Sequence, residues 1–85
     1  MLKITQHANG PARRAIRLEG RLVGPWVDEL HRVVRGLDVG TLRVELGGLA
    51  FADAAGVALL RGLRDSGAEL AEASAFIATL IGAEP

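Results

Sequence analysis

The feature that most constrains this chain is a change of apolar period at Gly24-Pro25. Before it, apolar residues recur every second position: Leu2 and Ile4 against Lys3 and Thr5, then Ile16 and Leu18 against Arg17 and Glu19. That is the spacing of half-buried strands. After it, Val23, Trp26, Val27, Leu30, Val33, Val34 and Leu37 recur at threes and fours, one apolar stripe along a helix. Proline suits the first helical position, where its missing N–H has no partner to lose. Asp28 and Glu29 near the start and Arg32 and Arg35 near the end complement the helix dipole, and Gly36 is the predicted stop. Asn9-Gly10-Pro11 predicts the turn between the two opening strands, so the chain begins with an antiparallel hairpin whose far end is at Gly20.

The two periods then alternate. Leu42, Val44 and Leu46, interleaved with Thr41, Arg43 and Glu45, predict a third strand that exits into a loop at Gly47-Gly48. Asp53 is placed to cap a second helix with its stripe on Val57, Leu59, Leu60 and Leu63, leaving Arg61, Arg64 and Asp65 to solvent and ending at Gly67. A short fourth strand is expected over Ala68 to Ala73, followed by a third helix capped by Ser74 and carrying Phe76, Ile77, Leu80 and Ile81. Strands joined through helices return parallel with right-handed crossovers. The expected fold is therefore a single α/β domain over 1–85, with a mixed four-stranded sheet built from an opening antiparallel hairpin and βαβα units. Because the strands alternate rather than being apolar throughout, the helices should pack mainly on one face.

Composition narrows the function classes. At 85 residues the chain holds one small core and has no room for a separate catalytic domain. Ten Lys and Arg balance ten Asp and Glu, so no strong field gathers nucleic acid or an anionic membrane. The absence of cysteine removes disulfides, thiolate metal sites and thiol nucleophiles. The N-terminus reads as a strand rather than a signal peptide, and no apolar run approaches the roughly 20 residues that span a bilayer. A soluble cytoplasmic protein is expected.

Site chemistry is sparse. His7 and His31 lack metal-ligand spacing, and Asp28 with His31, three apart on one helix, reads as a solvated charged face. Ser66 and Ser74 sit at helix ends without a base and an orienting acid. Gly47-Gly48 lacks the lysine and hydroxyl of a phosphate loop. Trp26 belongs to the core stripe. No catalytic residue, metal site or cofactor is expected. What remains is the turn Phe51-Ala52-Asp53-Ala54-Ala55-Gly56-Val57, where small residues leave a flat helix start beside an exposed carboxylate. It serves either as a surface another protein approaches closely or as ordinary strand-to-helix packing.

This turn resembles that of STAS domains, the fold of bacterial anti-sigma factor antagonists and of sulfate-transporter tails. The resemblance runs through Arg17-Leu18-Glu19-Gly20-Arg21-Leu22, Leu42-Arg43-Val44-Glu45-Leu46, Phe51 to Leu60, and Gly67-Ala68-Glu69-Leu70 with Ala73-Ser74-Ala75-Phe76. It implies partner binding through Asp53, Ala54, Ala55, Gly56 and Val57. In regulated members a serine follows the aspartate and is phosphorylated by an anti-sigma kinase; Ala54 holds that position here, and Ala55 also lacks a hydroxyl. The implied partner is a kinase-like anti-sigma factor, bound without a phosphate switch at this position. The alternative is the ATPase subunit of a lipid-transport ABC complex, with the chain as an accessory subunit. Family members commonly continue with a further strand and helix, so the resemblance also implies less well covered apolar surface on Phe76, Ile77, Leu80 and Ile81, an open sheet edge, and a possible homodimer.

Overall fold

The computed structural model describes residues 1–8, 10 and 13–82. Strand β1 (Leu2–Ala8) pairs antiparallel with β2 (Arg14–Leu22), β2 pairs parallel with β3 (Leu42–Ala52), and β3 pairs parallel with β4 (Glu69–Ala71), giving the sheet order β1-β2-β3-β4. Helix α1 (Pro25–Arg35) crosses from β2 to β3, α2 (Ala54–Asp65) crosses from β3 to β4, and α3 (Ala75–Leu80) follows β4. Each crossover steps the same way across the sheet, so right-handed connections deliver the helices to one face. The expected mixed sheet is the observed one. The hairpin ends at Leu2↔Gly20 as read from the sequence, whereas Asn9 and Pro11 of the predicted turn lie outside the described residues.

The covered face is a continuous apolar core. Ile16, Leu18, Leu22, Val44 and Leu46 from the sheet are fully buried against Leu30 of α1, Leu60 of α2 and Ile77 of α3. Each such side chain contributes about 1.5–3 kcal/mol through removal from water. Trp26 and Val27 pack at the margin, consistent with a core role for the tryptophan.

Five local expectations need correction. Gly47-Gly48 is not a loop exit; β3 runs through it to Ala52. Opposite Arg17 and Glu19, β3 spends an extra residue, so the strand bulges and carries on. A Cβ on Gly48 would lie 2.7 Å from Glu19 Cγ, so glycine permits the close pairing. Thr41 belongs to a short 3₁₀ turn (Val39–Thr41) capped by Asp38 rather than to the strand. β4 has three residues instead of six, because Glu72 takes a positive φ of 61° and turns the chain toward α3. Ile77 and Ile81 are completely covered rather than left open; among the large apolar residues of α3 only Phe76 is exposed. Arg64, expected in solvent, is partly buried and donates from Nη1 to the Ile81 carbonyl at 3.1 Å, tying α2 to the end of α3.

Candidate protein interface

The turn singled out in the sequence lies where β3 ends and α2 begins, beside the end of β2 and the start of α1. Asp53 caps α2 through Oδ1, which accepts from the Gly56 N–H at 2.8 Å. Its other oxygen, Oδ2, accepts from the Gly24 N–H at 3.0 Å, at the start of α1. The Asp53 N–H donates to the Leu22 carbonyl at 3.1 Å. One aspartate thus fastens two helix N-termini to each other and to the sheet. The amides of Gly24 and Gly56 hold its carboxyl below the ordinary value, outweighing partial burial.

The five residues of the turn fall into different roles. Ala54 and Ala55 are exposed, as is Ala58 one turn further on. Asp53 is half-buried with both oxygens engaged, so it is not the exposed carboxylate expected from the sequence. Gly56 is buried: a Cβ there would stand 2.6 Å from the Leu22 carbonyl oxygen, so glycine is what lets α2 start this close to β2. Val57 is half-buried at the core margin. Sequence reasoning missed Gly24 and Pro25, both exposed and joined to the α2 start by the Asp53 bridge. The available signal was topological, since parallel β2 and β3 bring their carboxyl ends, and the helix starts that follow, to one end of the sheet. The outward surface is two adjacent helix N-termini faced with glycine, proline and alanine.

The open sheet face is different in kind. Glu45 is the one buried charged residue among those described, and its carboxylate lies 3.3 Å from His7 Nε2 and accepts from Arg17 Nε at 3.3 Å and Arg43 Nε at 3.4 Å. Arg43 extends the network to Glu69 at 2.8 Å and Glu72 at 3.3 Å. Burial pushes the Glu45 carboxyl up, but bonds from His7, Arg17 and Arg43 prevail and hold it below its ordinary value. Burial likewise works to lower Arg43, and Glu69 and Glu45 more than reverse it, raising it. Each charged group of this network, from Glu45 through Arg43 to Glu69 and Glu72, is matched by an opposite one, which suits a structural network rather than reaction chemistry. His31 and Asp28 are both exposed, and among the described residues no three His, Asp or Glu side chains converge as metal ligands. Ser74 accepts from the Ile77 N–H at 3.1 Å, and Ser66 is the cap at the end of α2, as their positions predicted.

No family sequence model matches the chain, and no curated protein matches it significantly in sequence. Solved structures do. The anti-sigma factor antagonist SpoIIAA in its unphosphorylated form superposes with a TM-score of 0.71 at 19% identity, over 98% of this chain and 84% of that one. The STAS domain of an antisigma-factor antagonist from Rhodobacter sphaeroides gives 0.54 at 20% identity, over 87% and 92%. A crystal structure of Mglu gives 0.66 at 18% identity over 84% of this chain, which spans only 20% of the Mglu chain. At these identities the likeness is one of fold: the chain has the STAS fold, seen in anti-sigma factor antagonists.

Proposed function

We propose that this chain is a non-enzymatic protein-interaction module of the anti-sigma factor antagonist type, acting in the cytoplasm and docking its partner on Ala54 and Ala55 together with Gly24 and Pro25. The observation that carries this reading is the Asp53 bridge, which makes two helix N-termini one rigid, low-relief surface on a fold shared with such antagonists. A surface of small residues held by backbone bonds loses little entropy when covered. Gly56 and Val57 support the surface from beneath, and Asp53 sets its geometry rather than presenting a charge. Ala54 offers no hydroxyl, so binding is not switched by phosphate at this position.

The partner of this reading is a kinase-like anti-sigma factor. The test is affinity capture from lysate of the native host with wild-type chain and with Ala54→Glu, which mimics part of a phosphate charge while remaining favourable to the helix N-terminus. The wild type should retain an anti-sigma factor, and Ala54→Glu should weaken retention by about tenfold or more with an unchanged circular dichroism spectrum. Equal retention by both would remove the surface from consideration. Capture of a transporter ATPase subunit in place of an anti-sigma factor would transfer the chain to the accessory-subunit role.

A further inference from the structure

Away from that surface, the open sheet face carries an apolar rim that the network around Glu45 does not use. Met1 and Phe76 are the only large hydrophobic residues exposed among those described, 85% and 51% respectively. Both lie at the end of the sheet where β2 and β3 finish. Phe76 stacks on Phe51 with ring centroids 6.2 Å apart, and the Arg21 guanidinium lies over the Phe51 ring at 5.2 Å. Met1 adjoins them, its carbonyl accepting from the Arg21 N–H at 3.0 Å. The register Arg21↔Phe51 puts both residues opposite the buried Leu22 and Ala52, on the open face.

Two residues back along β2, Glu19 pairs with Gly48. Here the same face has a hollow of about 300 Å³ lined by Arg17, Glu19, Gly47, Gly48 and Glu72. It exists because β3 has two glycines where side chains would otherwise stand. Among the described residues, neither Glu19 nor Arg21 has an ion-pair partner, unlike Glu45, Glu69, Glu72, Arg17 and Arg43 on the same face.

We propose that this face binds a second copy of the chain, the aromatic rim of each copy seating in the Gly47-Gly48 hollow of the other and Arg21 of each pairing with Glu19 of the other. The face is self-complementary, as a two-fold interface requires. An axis lying across the strands between positions 19 and 21 reverses strand direction and keeps strand order. It therefore sets Arg21 over Glu19 and, one strand across, Phe51 over Gly48, since those residues are already registered in pairs. Positions 19 and 21 are about 7 Å apart along the strand, so one small offset aligns the charges and the ring with the hollow together. A cation over an aromatic ring beside an apolar anchor is the composition of an interface centre. The rim is small against the roughly 800 Å² per partner of a stable complex, so the dimer is weak and concentration-dependent. It requires nothing of the Ala54 surface.

Sedimentation equilibrium of the full chain, carried to about 1 mM, provides the test. The wild type should dimerise reversibly. Arg21→Glu and Glu19→Arg, each placing like charges together, should each raise the dimer dissociation constant by about tenfold, and the double swap should restore it. Phe76→Ser should weaken the dimer, and so should Gly47→Leu, which fills the hollow where the nearest atom to the new Cβ is the Glu72 carboxylate end at 3.1 Å. Thermal melting confirms that each variant is folded. A wild-type monomer throughout, a dimer indifferent to all four single changes, or a double swap that stays monomeric would each overturn the proposal.

Discussion

The two faces of the sheet solve opposite problems with the same strands. On the covered face, Leu18, Leu22, Val44 and Leu46 meet three helices and no polar atom needs a partner. On the open face, Arg17, Arg43 and Glu45 alternate with those residues along β2 and β3, and stability there depends on matching charges rather than excluding water. Burial of apolar area is insensitive to pH and salt, whereas ion pairs titrate and are screened. A four-stranded sheet this small can leave one face bare because, among the described residues, every buried side-chain nitrogen and oxygen has a hydrogen-bond partner.

Substitutions at five positions sharpen the contrast. The largest loss is expected at Leu60→Ala, from a fully buried site of α2, about 2–5 kcal/mol in chemical denaturation; a loss below 1 kcal/mol would mean the covered face is not the main source of stability. Asp53→Ala comes next. It removes an acceptor shared by two amides, and should lower the denaturation midpoint more than Ser74→Ala, a single-acceptor cap worth about 1 kcal/mol. Comparable losses at the two sites would show that the Gly24 bond adds nothing.

Glu45→Gln tests the open face through pH. The folded carboxyl titrates below its ordinary value of 4.5, so its contribution is present above that pH and is lost as pH falls through the lower folded value. The wild type should therefore lose stability in acid, and the glutamine variant should lose less between pH 5 and pH 3 (about the carboxylate range). Asp53 acts with the same sign from its ordinary value of 3.8, and Asp53→Asn separates its share. Parallel acid limbs for wild type and Glu45→Gln would show the network to be energetically idle. The smallest effect belongs to Arg32→Ala, whose bond to Glu29 at 3.0 Å is exposed on α1; a few tenths of a kcal/mol, about the cost of a surface pair, is expected.

Most of the covered face was legible in advance. Helix α1 and its stripe, the caps at Asp53 and Ser74, the left-handed stop at Gly67 (φ 107°) and the opening hairpin all follow from local periodicity and backbone chemistry. The misreadings cluster where a long-range partner decides. Gly47-Gly48 looks like a terminator by itself, and only pairing with β2 keeps it in the strand. Ile77 and Ile81 look under-covered until α3 is seated over the sheet beside Arg64. The candidate interface was half legible: Ala54 and Ala55 were named, while Gly24 and Pro25, some 30 residues earlier, join them only through the Asp53 bridge.

By itself, then, the alternation of periods either side of Gly24-Pro25 determined the element order, the α/β class and the side on which helices sit, because those depend on residue spacing and crossover handedness. The tertiary structure alone decided what each exposed group does. Asp53 became a clasp instead of a free charge, Gly56 a contact point instead of a surface, and Phe51, Phe76 and Arg21 one rim from three separate segments. Such roles depend on groups distant in sequence meeting at a few ångströms, a distance that no local pattern encodes.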